Sequence, residues 1–365
     1  MRIVCFLRSL GLGGIERQMS GLAVILKEAG HDVVVMKYIS EDFYRSYLEE
    51  NGVRVEHIDK KWGSLGTSLA VARKLEEFSA DIVISFAPSP GLKACYAKLM
   101  CRRKFRLVVS ERNYLRRFHI NDWYRFIVYR LLADRIISNS HAQMQHIISS
   151  FPMLEGKTSC IVNFVDLEKH KPSHRHHQEG PVRLSVISRL CRRKNTHGLI
   201  KAAKELKDKG LSFHISWYGS TRETRYLRKC MKTIEKYGLK DVFEILEATR
   251  DVKSIYEETD VFCLPSFYEG TSNSMCEALA SGLAVACSDV SDNALYVKPR
   301  KNGWLFNPHS VADMAGTLEE IISSRRETLQ AYGRESRVIA EEKFPIERFN
   351  REYIGLIEDL SKAEL

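Results

Sequence analysis

Two periodicities alternate along the chain. Short continuous apolar runs, RIVCFL (2–7), DVVVMKY (32–38), RVEHID (54–59), DIVISF (81–86), RLVVSE (106–111) and DRIISNS (134–140), are separated by amphipathic stretches such as IERQMSGLAVILKEAG. The runs do not alternate polar with apolar, which fits parallel strands covered by helices on both faces. Gly30 sits where a helix C-cap would stand. A second series follows: VRLSVIS (182–188), SFHISWYG (212–219), VFEILEA (242–248), DVFCLPS (260–266), LAVACSD (283–289) and GWLF (303–306). Two successive βαβ domains are expected, with a cleft at the C-terminal ends of their strands.

Between the two series, CIVNFVD (160–166) leads into LEKHKPSHRHHQEGP, a polar stretch closed by Gly180 and Pro181. It reads as a linker. Its histidines 170, 174, 176 and 177 lack helical ligand spacing, so a solvated linker fits them better than a metal site. The predicted organisation is an N-terminal domain over 1–167, the linker over 168–181, a C-terminal domain over 182–344 and an amphipathic terminal helix over 345–365.

Composition narrows the class. A chain of 365 residues, 44% hydrophobic and 28% charged, suits two globular domains. Its longest apolar runs fall far short of the roughly 18 residues a membrane helix needs. RIVCFL runs directly into a glycine loop and lacks the form of a signal peptide. Nine scattered cysteines without a CxxC pair suit reduced thiols in a cytoplasmic protein. The formal charge of +10 is concentrated: between Lys93 and Arg135, twelve Lys/Arg face Glu111, Asp122 and Asp134, a local net of +9. An anionic partner is expected for 93–135.

Three stretches carry candidate chemistry. Gly11-Leu-Gly-Gly-Ile-Glu16 follows the first strand and opens a helix, but Glu16 replaces the third glycine of a dinucleotide fingerprint. VVVMKY also ends in Lys37 and Tyr38, not in the acid a ribose would need, so NAD is disfavoured. Gly13 and Gly14 still allow close backbone approach to a ligand, with a tight turn as the plain alternative. In SRLCRRKN, Arg189 and Lys194 lie just past a strand, where two cations can neutralise a diphosphate; a solvated basic loop is the alternative. In SFYEGTSNSMCEALASG the strand ends at Ser266 and the loop turns at Gly270. Ser272 or Asn273 caps a helix to about Ala280, and Gly282 ends it. Glu277 then either complements the helix dipole or accepts hydrogen bonds from sugar hydroxyls, and Glu269 precedes it in the loop.

Taken jointly, GGIER (13–17), SNSHA (138–142), IVNFVD (161–166), SRLCRRKN (188–195) and PSFYEGTSNSMCEALASGLAV (265–285) resemble, in order and context, the retaining nucleotide-sugar glycosyltransferases of family four. That family has the α/β GT-B architecture of two doubly wound Rossmann-like domains facing across a cleft. The resemblance implies that Arg189 and Lys194 bind the donor diphosphate, Glu277 the ribose, and that Glu269 lies by the transferred sugar. It further implies that amides of Gly270, Thr271, Ser272, Asn273 and Ser274 contact sugar and phosphate. Gly13 and Gly14 would close over the donor, while Gly219 and Leu246 border the base.

Many relatives carry a histidine after the fifth N-domain strand, where this chain reads Ser110-Glu-Arg-Asn113. The variant resembles a subgroup that assembles bacterial surface polysaccharide. Glu111 or Arg112 is expected to take the polar role, with His119 as fallback. The implied reaction moves a hexose or N-acetylhexosamine from a nucleotide-sugar, a UDP-sugar by expectation, to a hydroxyl of a glycan or lipid-linked acceptor.

No Asp-x-Asp pair ends a strand, so neither a metal nor another cofactor is expected. Retention fits either front-side attack or a covalent glycosyl-enzyme. ERNYLRRFHINDWYRFIVYRLLADR (111–135) interleaves arginines with aromatics, which suits an anionic membrane surface or a lipid diphosphate better than nucleic acid; a helix with a wet basic face is the plain alternative. The expected location is the cytoplasm, peripheral at the inner face of the membrane. A catalytically inactive module binding an anionic ligand on the same fold is the alternative function.

Overall fold

The computed structural model describes residues 1–59, 63–112, 117–172, 180–219, 224–249 and 251–362. Two compact units account for them: Met1–Asn163 with Glu347–Leu365, and Phe164–Ile346.

The first unit is built on a parallel sheet of β1 (Arg2–Leu7), β2 (Asp32–Lys37), β3 (Arg54–His57), β4 (Ile82–Phe86), β5 (Arg106–Glu111), β6 (Arg135–Ser138) and β7 (Thr158–Cys160). Their order is β3-β2-β1-β4-β5-β6-β7. The central strands are buried along nearly their whole length, which is why they read as unbroken apolar runs. The expected strands are all present. The sheet also gains β7, whose sequence TSC has no apolar run and which pairs at the edge with β6.

Where β5 and β6 begin, Asp134 joins three donors: Lys98 at 2.5 Å, Arg106 at 3.0 Å and the Leu107 amide at 2.7 Å. Burial would raise this carboxyl, but those bonds outweigh it and hold Asp134 below the usual carboxylate range. A depressed carboxyl contributes stability above its unfolded pKa of about 3.9, and that contribution disappears as pH falls through the folded value. Asp134→Asn should therefore lower the urea midpoint at neutral pH, and the gap from wild type should narrow as the pH falls below the unfolded value of about 3.9. A gap that stays constant with pH would contradict this assignment.

The second unit carries β8 (Val182–Ile187), β9 (Phe213–Tyr218), β10 (Phe243–Leu246), β11 (Val261–Leu264), β12 (Ala284–Ser288) and β13 (Gly303–Phe306), again all parallel, in the order β10-β9-β8-β11-β12-β13. On one face of this sheet Leu184, Val186, Ile215 and Trp217 pack with Leu199 and neighbouring side chains into the main core. Strand order reverses between β8 and β11, which pair directly through Leu184 and Val261. Loops leaving the C-terminal ends of these two strands emerge side by side, the position where such sheets bind ligands.

The sequence N-terminal to the second sheet differs from a simple solvated linker. His170 is buried against the Tyr256 ring, 5.8 Å between centroids. Arg337 donates to the carbonyls of Leu167, His170 and Ala280, tying this stretch to the second unit. An extended tether would leave the Leu167 and His170 carbonyls to water; here one guanidinium binds both and joins them to the end of helix Asn273–Ala280. Histidines 174, 176 and 177 lie outside the described residues.

All nine cysteines are free thiols. Burial pushes Cys5, Cys95 and Cys263 up to about 12, so they are protonated and unreactive at neutral pH.

Candidate active site

At the strand-order reversal of the second sheet, β8 ends and the chain runs through Arg189 into a single 3-10 turn, Arg192–Lys194. Asn195 follows in the left-handed region (φ 58°) and helix Thr196–Asp208 begins. Asparagine tolerates that conformation, and its amide donates to the Pro308 carbonyl at 3.0 Å. The turn draws Lys194 inward while Arg189 remains exposed. β11 meanwhile ends at Leu264, and the Phe267 amide donates to the Arg193 carbonyl at 2.9 Å, fastening the two loops together. Lys194 Nζ lies 2.5 Å from Glu269 Oε1, both side chains being largely buried. Arg189 has no carboxylate partner among the described residues.

Helix Asn273–Ala280 starts behind this pair, with Ser272 as its N-cap residue. Ser272 Oγ engages Ser274 Oγ at 3.1 Å and makes no capping bond. Glu277 stands in the second turn, buried, and its Oε2 accepts from the Tyr256 hydroxyl at 3.0 Å. That placement is one turn deeper than a dipole-complementing acid would occupy. Tyr256 also lies 3.0 Å from the Ser274 carbonyl, so one phenol addresses both the carboxylate and the start of the helix. Nothing in the motif points to Tyr256; it comes from helix Val252–Glu257, and only the fold brings it near. Gly282, at φ 74°, ends the motif, with its amide on the Leu279 carbonyl.

Gly219 and Leu246 sit at the ends of β9 and β10, joined by the Gly219 amide on the Leu246 carbonyl at 3.0 Å. A Cβ at Gly219 would lie 2.3 Å from the Ser188 carbonyl oxygen, so glycine is needed to let β8 and β9 approach there. The structure thus brings Lys194 onto Glu269, next to Gly270; Glu277 stands farther along the same segment, in the helix that follows, and Gly219 and Leu246 lie at the ends of adjoining strands of the same sheet.

The remaining candidates belong to the first unit. Gly13 is the N-cap of helix Gly14–Glu28, in extended conformation, and Glu16 occupies the first turn. The position of a ribose-binding acid at the end of β2 holds Lys37, which is buried and bonded to the Ile39 carbonyl and Asp42.

Glu111 and Arg112, at the end of β5, both turn into the interior. Glu111 pairs with Arg125 at 3.2 Å. Burial pushes its carboxyl up, and Arg125 partly holds it back. Arg112 donates from Nε to Ser110 Oγ at 3.0 Å, from one terminal nitrogen to Asn163 Oδ1 at 2.6 Å, and from the other to the Tyr353 hydroxyl at 2.9 Å. Its guanidinium also lies 3.8 Å from the centre of the Phe86 ring. None of these partners is a carboxylate, and burial pulls the guanidinium pKa down. The His119 side chain is exposed, while its amide donates to Asp122 Oδ2 at the start of helix Ile120–Leu132. Asn113 and Arg116 lie outside the described residues. Among the described residues no three His, Cys, Asp or Glu side chains converge as a metal site would require.

Two parallel, doubly wound sheets, with a cation–carboxylate pair at the switch point of the second, define a protein of the GT-B class. The family model "Glycosyltransferase Family 4" matches residues 12–169, and "Glycosyl transferases group 1" matches 167–338. The chain belongs to this glycosyltransferase family.

It is similar to the putative colanic acid biosynthesis glycosyltransferase WcaL of Salmonella typhimurium, 28% identical over 49% of this chain and 46% of that one. The match therefore spans about half the length of that relative. It is also similar to the N-acetylgalactosamine-N,N'-diacetylbacillosaminyl-diphospho-undecaprenol 4-alpha-N-acetylgalactosaminyltransferase of Campylobacter jejuni, 25% identical over 79% of this chain and 81% of the relative. Among solved structures, Anabaena HepE in complex with UDP-glucose superposes with a TM-score of 0.87 at 19% identity, covering 98% of this chain and 100% of that one. That likeness supports the fold.

Proposed function

We propose that the chain is a retaining glycosyltransferase that takes a hexose or N-acetylhexosamine from a UDP-sugar and places it on a hydroxyl of a lipid-linked glycan, in bacterial surface-polysaccharide synthesis. The observation that carries this is the buried Lys194–Glu269 pair on the two adjoining switch-point loops. A cation held there, with Arg189 exposed on the same loop, suits a diphosphate. Glu277, fixed by Tyr256, is suited to accept hydrogen bonds from ribose hydroxyls. The names of the Salmonella and Campylobacter relatives, a colanic acid glycosyltransferase and an enzyme acting on a diphospho-undecaprenol glycan, support the acceptor class.

In the reaction, the bond between the anomeric carbon and the diphosphate oxygen breaks as one to the acceptor oxygen forms. The acceptor's proton passes to the departing phosphate oxygen. Lys194 and Arg189 offset the charge that develops on that phosphate in a site of low dielectric. Glu269 is committed to Lys194, which supports a role in holding cation and sugar over one as nucleophile. Glu111 and Arg112, bonded inward, are assigned to the frame of the first unit.

Thermal shift across UDP- and GDP-sugars is the direct test. At least one UDP-sugar should raise the melting temperature, and Glu277→Ala should abolish the shift while the unliganded protein remains folded. No shift with any nucleotide-sugar, together with no turnover, would favour the alternative of an inactive anion-binding module.

A further inference from the structure

Four cations stand on the loop that follows β8, and the fold treats one of them differently. Arg189 and Arg192 are exposed, and Arg193 lies over the Tyr268 ring, 5.7 Å from its centroid. Lys194 alone is buried, and its ammonium has one partner among the described residues, Glu269. The two side chains are only 10% and 7% exposed. Glu269 Oε1 takes the contact, while Oε2 makes no hydrogen bond among the described residues.

The carboxylate is held in that place by its backbone. Ser291 Oγ donates to the Glu269 carbonyl at 2.6 Å, and Ser288 Oγ donates to the Ser266 carbonyl at 2.6 Å. Between them, the Phe267 amide is fastened to the Arg193 carbonyl at 2.9 Å. Cation and carboxylate are therefore fixed opposite one another by their loops.

A plain anion site would not be built this way. A buried lysine by itself attracts a diphosphate strongly, whereas a carboxylate 2.5 Å from it cancels much of its field and repels phosphate oxygens. The penalty falls unequally on the two nucleotides that a glycosyltransferase handles. The terminal phosphate of a free nucleoside diphosphate is a monoester, with about −1.5 to −2 charge at pH 7. In a nucleotide-sugar that phosphate is a diester with a single charge, and the sugar brings hydroxyl donors that a carboxylate oxygen accepts. Specificity of this kind uses a repulsive element as well as an attractive one.

We propose that Glu269 discriminates the intact donor from the nucleoside diphosphate left after transfer. It neutralises Lys194 until a sugar engages its carboxylate, and so disfavours the product, which departs more easily. This role rests on the proposed donor site and adds to it a selectivity that a lone cation lacks.

The test is isothermal titration calorimetry of the full chain with UDP and with the UDP-sugar that gives the largest thermal shift. Glu269→Gln leaves the ammonium uncompensated, so UDP should bind at least about fivefold tighter while the UDP-sugar gains less. That variant strands a buried lysine, so Lys194→Met/Glu269→Gln is the second arm. It removes attraction and repulsion together: UDP affinity should stay within about threefold of wild type, and affinity for the UDP-sugar should fall at least about tenfold. Equal losses of UDP and UDP-sugar in the double variant, as for a lysine that simply binds phosphate, would overturn the proposal and leave the donor site standing. So would unchanged or weaker UDP binding by a folded Glu269→Gln. Failure of the wild type to bind UDP or any UDP-sugar would overturn both.

Discussion

Lys194→Met should lower kcat by roughly 10² to 10³, the usual cost of removing one preorganised group that meets developing charge. The expectation rests on the 2.5 Å contact between Lys194 and Glu269 and on the inward turn that holds the ammonium in place. A loss of activity alone would be ambiguous. Without its ammonium, Glu269 would be a buried carboxylate missing its cation, a situation that costs about 3–5 kcal/mol. The Lys194→Met/Glu269→Gln double variant separates the causes. It replaces both charges with neutral groups of similar volume, so urea unfolding should recover most of the stability. Turnover should stay as low as in the single variant, because the cation facing the phosphate is still missing. Retention of kcat within about threefold in Lys194→Met would remove this lysine from the catalytic assignment.

Arg112→Leu should be the most destabilising single change in the first unit, at about 3–5 kcal/mol. The side chain supplies donors to Ser110, Asn163 and Tyr353 and stacks on Phe86. Leucine would remove all three of these bonds and the cation over the Phe86 ring inside the unit. Tyr353→Phe removes one acceptor and should cost about 1–2 kcal/mol. Unfolding in urea, followed by far-ultraviolet circular dichroism, checks both values. The double variant should lose less than the sum, because the two residues share a bond. If Arg112→Leu instead unfolds like wild type but loses turnover, Arg112 belongs to the chemistry.

The strands of both sheets were legible because parallel strands are covered on two faces and so read as unbroken apolar runs. β7 was not, since a short edge strand such as TSC buries too little to need that pattern. The Arg/Lys loop and the glutamate motif were legible as separate stretches, whereas their contact depends on β8 pairing with β11. The inward turn of Glu111 and Arg112 was illegible for the same reason. Their partners stand 14 and 241 residues away, and a charged dipeptide ending a strand gives no sign of which face it takes. Tyr256 lies in a short helix without any motif. In 111–135 the interleaved aromatics and arginines were plain, but only the fold separates the buried Arg112 and Arg125 from the exposed Arg117 and Arg130.

The first unit is assembled from two pieces of chain. Tyr353 and Arg348 reach Arg112 and the carbonyls of Val162 and Asn163, so helix Ile346–Lys362 completes a unit whose other residues end at Asn163. During synthesis the segment Phe164–Ile346 must emerge before that helix exists, an interval on the order of ten to forty seconds at ordinary elongation rates. Through that interval Arg112 has no tyrosine and the face that receives the helix is bare. The second unit, being continuous in sequence, can close its core first. The ribosome therefore makes the earlier-encoded unit the later one to finish.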